Sequence, residues 1–161
     1  MSRKKEITIG VIADTHGLLR PEAIAALQGS NLILHAGDIG STEILERLRL
    51  IAPVKAVLGN VDTLPWAKSL PLIEVVDVGG LSLYMLHDLN RFDLNPAAAG
   101  FSAVISGHSH SPMNEFRNGV LYFNPASAGP RRFNLPICVG KIRILDKNIS
   151  GEIIELRIAQ R

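Results

Sequence analysis

Within the first sixty residues, three short apolar runs alternate with two helical segments. This alternation constrains the fold more than any other feature of the chain. Strands are predicted over residues 6–12, 32–35 and 54–58. A helix is predicted over residues 21–28, with Pro21 in its first turn and Gly29 as a stop. A second is predicted over 41–50, where Ser41 can cap the N-terminus and Glu43 meets the positive end of the dipole. Strands that alternate with helices call for a parallel sheet carrying helices on its faces.

The second half has a different character. Runs at 73–78 and 81–86 flank Gly79-Gly80, and runs at 115–117 and 120–123 flank Asn118-Gly119; both pairs read as hairpins. Residues 103–105 form a short buried strand, and residues 137–144 and 151–158 a final antiparallel pair. Pro96 to Ala99 opens a short helix. This is too much antiparallel strand for one doubly wound sheet. The predicted class is therefore α/β, a four-layer αββα sandwich of two mixed sheets packed face to face with flanking helices. At about 150 residues per domain, a chain of 161 residues is one domain, 1–161, with residues 1–5 as a solvated basic tail.

Composition excludes several classes. With 47% hydrophobic and 20% charged residues, disorder is excluded as the dominant state. A net charge of +2 is too small to argue for a long nucleic acid or a membrane surface as partner. No apolar stretch reaches the length of a membrane span. The run after the basic tail ends in Asp14-Thr15-His16-Gly17 rather than in a small-residue cleavage site. The lone Cys138 excludes an internal disulfide framework and a thiolate-rich metal site, and a cytoplasmic location follows as the expectation. Cys138, Tyr84, Phe123 and Trp66 read as packing residues.

The polar residues collect at strand ends. Asp14 and His16 follow the first strand, Asp38 the second, Asn60 and Asp62 the third. His87 follows the first hairpin, and His108 and His110 follow the short strand at 103–105. In open α/β sheets ligands bind beyond the carboxyl ends of strands, so five ends on one edge would bring these side chains together. In Asp14-x-His16 and His108-x-His110, residues two apart in an extended segment point the same way. Gly17, Gly37, Gly59 and Gly107 accompany them and permit close backbone approach. The donors are oxygen or imidazole nitrogen, a set that suits manganese, iron, zinc, nickel or cobalt. Two such ions about 3.5–4 Å apart clamp an in-line displacement at phosphorus, with Asp38 as the candidate bridge.

Taken in order, Asp14-x-His16, Gly37-Asp38, Gly59-Asn60, His87 and Gly107-His108-x-His110 resemble the motifs of the calcineurin-like metallophosphoesterase superfamily. Chain length and Asn124-Pro125-Ala126-Ser127 make the chain similar to its small prokaryotic phosphodiesterase branch. The resemblance implies two divalent metal ions per chain, manganese first, with nickel, cobalt, zinc, iron or magnesium as alternatives. One ion would take Asp14, His16, Asp38 and His110; the other would take Asp38, Asn60, His87 and His108. It implies hydrolysis of a small phosphodiester by in-line attack of a hydroxide held between the ions, with Asn60 and His87 stabilising the developing charge. It also implies a homodimer or homotetramer as a possible assembly. Two departures matter. Family members often carry Gly-Asn-His-Asp, whose histidine is thought to protonate the leaving group; here the third position is Val61, and Asp62 keeps the fourth and is carried over as a catalytic candidate. The glycine common in the Asn-Pro-Gly-Ser loop is Ala126. Arg131 and Arg132 are candidate phosphate ligands, and His35 is a candidate support near Asp38. The rivals are a non-catalytic interaction scaffold of the same fold and an enzyme acting on nucleotides or nucleic-acid ends.

Overall fold

The computed structural model describes residues 5–158. Of the expected basic tail, only Lys5 falls among the described residues, and it is exposed. Ten strands form two sheets of five. The first has the order β10-β9-β1-β2-β3, where β1 is Ile7–Ile12, β2 Leu32–His35, β3 Val54–Ala56, β9 Cys138–Leu145 and β10 Asn148–Glu155. Here β1, β2 and β3 run parallel, and β9 pairs antiparallel with both β1 and β10. The second has the order β4-β5-β6-β8-β7, where β4 is Ile73–Val78, β5 Leu81–Leu86, β6 Ala103–Ile105, β7 Met113–Arg117 and β8 Val120–Asn124. Its inner strands β5, β6 and β8 are parallel, and its edges are the two hairpins.

The period-2 pattern explains the layering. Ile9 and Val11 of β1 face the other sheet and join Leu34, Leu83, Met85, Ile105, Leu121 and Phe123 in a core between the sheets. Ile12 points the opposite way, into a second core under the helices α1 (Pro21–Ala26) and α2 (Thr42–Arg49). Alternate positions of one strand thus serve two cores. Phe123 crosses the gap and lies flat on Gly140, where a Cβ would overlap its ring. Outside the second sheet the fourth layer is thin. A 3₁₀ turn at Leu89–Arg91 and the four-residue α3 (Pro96–Ala99) bring Phe92 and Phe101 edge-on to Tyr84.

Several boundaries differ from the sequence expectation for physical reasons. α1 ends at Ala26 and the chain turns before Gly29, which has φ +85°. Ser41 occupies the N-cap of α2, but its side chain makes no capping bond. β3 stops at Ala56, because the Leu58 N–H bonds to Pro71 O and leaves the sheet. β10 begins at Asn148 instead of residue 151, because Asp146-Lys147 makes the tight hairpin turn with φ 52° and 63°. Asp is common at the first position of such a turn, but the second usually falls to Gly and here is Lys147, so the sequence signal is incomplete. Cys138 is buried and its thiol is pushed up to about 11, chiefly by burial, as a packing residue would be.

Candidate metal centre

The carboxyl ends of β1, β2, β3, β5 and β6 all open onto one rim between the sheets. The pairing of β1 with β2 continues past both strands. The N–H of Asp14 donates to Gly37 O (3.0 Å), that of His16 to Asp38 O (2.9 Å) and that of Gly17 to Ile39 O (2.8 Å). From the other sheet, the Gly107 N–H reaches His87 O (2.9 Å) and the His108 N–H reaches Asp14 Oδ2 (3.2 Å). The last contact ties the two sheets together at the rim.

Five of the candidate ligands sit in left-handed backbone: Asp14, His16, Asp38, His108 and His110, with φ between 48° and 70°. The sequence suggests extended segments for the two i, i+2 pairs; the structure instead turns the chain sharply at both members of each. Such conformations cost about 1–3 kcal/mol each and persist where surrounding bonds over-determine them. Ala126 is buried and also left-handed, with φ 67°.

The side chains converge into two groups. Asp14, His16 and His110 place one donor atom each within 4.8 Å of one another, as do Asp38, His87 and His108. Asp38 Oδ2 lies between the groups, 3.7 Å from His16 Nε2 and 3.2 Å from His87 Nε2. Asp14 Oδ1 is 3.6 Å from His110 Nε2 and 3.9 Å from His87 Nε2. Asn60 lies beside the second group, its Nδ2 3.3 Å from His108 Nδ1.

The hydrogen-bond inventory is consistent with cation binding. His87 Nδ1 must donate to Ala36 O (2.7 Å), which turns Nε2 toward two carboxylates. Asp14 Oδ1, His16 Nε2, His87 Nε2 and both ring nitrogens of His110 are buried without any hydrogen-bond partner. Unsatisfied buried polar atoms are rare and costly, and four of them, one from each of these residues, converging at one rim fit a divalent cation site. Electrostatics agrees. Burial drives the Asp14 carboxyl up to about 7, opposed by the His87 charge and reinforced by Asp38. Burial also acts on Asp38, but His87 and the Val61 N–H outweigh it and hold that carboxyl at about 2. Burial and then the Arg132 charge lower His110 to about 4, keeping it neutral and free to coordinate. His87 is raised: burial opposes its charge, but the adjacent Asp38 carboxylate prevails.

Two supports lie behind the donors. His35 Nδ1 accepts the Gly37 N–H (3.1 Å), so its proton sits on Nε2 and is donated to Thr15 Oγ1 (3.0 Å). The Thr15 hydroxyl in turn donates to Ile39 O (2.7 Å). His35 thus joins the Asp14 loop to the Asp38 loop without touching Asp38. Its burial, followed by the His87 charge, lowers it to about 3. The neutral form is therefore folded-state property down to about pH 3, whereas the unfolded chain takes a proton near 6.5. Stability from this group is complete above 6.5 and is lost as pH falls toward 3, by up to about 1.4 kcal/mol per pH unit. Urea unfolding of metal-stripped protein from pH 6.5 to 4 should therefore show a shallower loss in His35→Gln than in the wild type. Equal slopes would contradict the assignment. The comparison of two proteins is needed because the raised Asp14 titrates in the opposite sense in this window.

Asp62 is the second support. Its Oδ1 accepts the N–H groups of Ile39 (2.9 Å) and Gly40 (3.1 Å), and its Oδ2 accepts that of Gly59 (2.9 Å). The carboxylate clamps the Asp38 loop to the loop that carries Asn60. Asp62→Ala leaves three backbone donors without their acceptor, at about 1–3 kcal/mol for each unsatisfied group. A loss of roughly 3 kcal/mol is expected, together with weaker metal binding. An unchanged urea midpoint would contradict the clamp.

The Asn124–Ser127 loop backs the site. Asn124 Nδ2 donates to Gly107 O (2.9 Å) and Ser109 Oγ (3.1 Å), and Ser127 Oγ donates to Asp14 O (3.0 Å). Arg131 is exposed and directs its guanidinium to Leu135 O (3.2 Å). Arg132 makes no direct contact with the donors, although its charge is felt at Asp14 and His110. Asp88 caps the 3₁₀ turn through the Asn90 N–H (3.0 Å). The support by Thr15 has no signal in the sequence, because it consists of single bonds between residues distant in the chain; Asn124 is marked by the Asn124-Pro125-Ala126-Ser127 motif, which does not reveal the bonds it makes.

Comparison with known proteins agrees with this geometry. The calcineurin-like phosphoesterase superfamily domain matches residues 7–147. The chain is 32% identical over 158 residues to a probable metallophosphoesterase of Methanothermobacter thermautotrophicus, covering 91% of each. Among solved structures, an archaeal phosphodiesterase superposes with a TM-score of 0.76 at 21% identity, over 92% of this chain and 100% of that one. Vacuolar Protein Sorting 29 of Cryptosporidium parvum superposes with a TM-score of 0.76 at 18% identity, over 95% and 99%. At these identities the two structures share the fold.

Proposed function

The chain belongs to the calcineurin-like phosphoesterase superfamily, and from that membership we propose that it is a metal-dependent phosphodiesterase acting on a small diester. The observation that carries this reading is the set of buried, unpartnered donor atoms that Asp14, His16, His87 and His110 bring to one rim. Asp14, His16, Asp38 and His110 would hold one divalent ion and Asp38, Asn60, His87 and His108 the other, manganese being the first choice. Ions bound there would supply Lewis acidity toward the phosphoryl oxygens and a nucleophilic oxygen at neutral pH.

The chain's own residues do the rest. Asp38 and Asp14 offset the charge of the cations. His87, with Nδ1 spent on Ala36 O, has only Nε2 left and would offer it to the ion; Asn60, beside His108, has an amide N–H that would meet the negative charge developing on the phosphoryl group. Asp62 holds their loops in register. Arg132 adds positive charge beside Asp14 and His110 that favours an anionic ester, and Arg131 extends it outward. Val61 is 48% exposed at the place of the family's histidine and has no proton to give. Esters with good leaving groups are therefore the favoured substrates. No helix among the described residues is long and apolar enough to cross a membrane. The single cysteine, free and buried, suits an enzyme of the reducing cytoplasm.

The test is hydrolysis of bis(p-nitrophenyl) phosphate and p-nitrophenyl phosphate by metal-stripped protein, with manganese, nickel, cobalt, zinc and magnesium added back singly. Diester turnover that requires an added ion is expected, with the monoester slower. Absence of turnover despite bound ions would favour the scaffold reading, which the likeness to Vacuolar Protein Sorting 29 keeps in view.

A further inference from the structure

Beside the metal centre lies a cleft of about 160 Å³. Asn60 and His87, two of the candidate ligands, form part of its wall, so the cleft adjoins the centre. The rest of the wall is mainly aliphatic. Leu58 comes from the segment that leaves β3, Leu72 and Ile73 from the start of β4, and Leu86 from the end of β5. Leu72 and Ile73 are 67% and 48% exposed, so apolar surface stands in water at the mouth. Apolar surface of this kind beside a polar centre marks a binding groove.

We propose that this cleft takes a single aromatic ring carried by one ester arm of the substrate. The inference rests on the phosphoesterase reading above and names the substrate class it implies. Three observations set the occupant. The shared wall means that an ester held at the centre has one arm directed within reach of the cleft. The volume suits one ring, since a cavity of about 150 Å³ lined by aliphatic side chains admits benzene. Arg91 and Asp88 both line the cleft, one charge of each sign, so the cleft asks no net charge of the arm and a neutral ring fits it. A protein segment laid across Leu72 and Ile73 would use the same apolar surface, but it would not need the wall shared with Asn60 and His87.

The test compares two non-hydrolysable anions that differ only in the arm, methylphosphonate and phenylphosphonate. Their affinities for manganese-loaded protein are measured by calorimetry. Removing the ring's apolar surface from water is expected to make phenylphosphonate bind at least about tenfold tighter. Leu72→Asn, a change at an exposed position, should reduce that ratio to below about threefold. Metal-dependent binding of both anions with equal affinity would overturn the ring site and leave the phosphoesterase reading standing. A preference that survives Leu72→Asn would overturn the placement in this cleft. If neither anion binds the metal-loaded protein, the phosphoesterase reading fails and the ring site fails with it.

Discussion

Asp38→Ala is expected to leave a folded chain that retains no pair of ions and hydrolyses diesters at least about a thousandfold more slowly, a loss of about 4 kcal/mol of transition-state stabilisation. The reason is positional. Asp38 Oδ2 is the carboxylate oxygen that faces both groups, 3.7 Å from His16 Nε2 and 3.2 Å from His87 Nε2. Its other oxygen is held by the Val61 N–H at 3.0 Å, which fixes its orientation. Its carboxyl is held at about 2, so it is ionised across the physiological range. Removing it takes away a negative charge and a ligand common to both groups. Metal content per chain, diester turnover and circular dichroism on the same preparation check this. A folded Asp38→Ala protein that keeps two ions and its activity would contradict the bridging role.

The second large effect is expected from a residue that carries no chemistry. A Cβ placed on Gly59 would overlap the backbone nitrogen and Oδ1 of Asp38 and come within 2.7 Å of its Cα. Most of what it meets is backbone, which cannot rotate away as a side chain end can. Gly59→Ala must therefore push the Asp38 loop and the Asn60 loop apart, against the Asp62 clamp. Overpacking of this kind costs about 1–3 kcal/mol, or about 2–4 °C of Tm for each kcal/mol in a domain of this size. Because the displaced residue is Asp38, metal affinity should fall more than stability does. Thermal unfolding with and without manganese separates the two: the gain in Tm on adding the ion should be large in the wild type and nearly absent in Gly59→Ala. A variant with wild-type Tm and a wild-type manganese shift would show that the two loops do not meet as described.

Much of the architecture was legible because the signals are local and periodic. Gly79-Gly80 and Asn118-Gly119 both adopt positive φ at their hairpins, as their composition predicts. The first three strands and two helices fall where apolar period and punctuation place them. The β9–β10 turn was not legible, because Lys147 takes the left-handed position where glycine is usual, and Asp146 alone is too weak a signal. At the site, the donor residues were legible as a series of strand ends. Their backbone was not: the left-handed turn at Asp14, His16, His108 and His110 is imposed by long-range bonds such as Asp14 N–H to Gly37 O. The same limit hid the part played by Asp62. Its sequence position suggests chemistry, whereas its oxygens are occupied by backbone N–H groups of two loops. The cleft at Leu72, Ile73 and Arg91 had no signal at all, since its walls come from separate strands and an unremarkable apolar run.

The central claim is that one rim of this fold holds two ions that share Asp38. Anomalous diffraction from crystals soaked in manganese tests it most directly. Two peaks are expected about 3.5–4 Å apart, one beside Asp14, His16 and His110, the other beside His87 and His108, with Asp38 between them. A single peak, or a pair in which Asp38 contacts only one ion, would contradict the account.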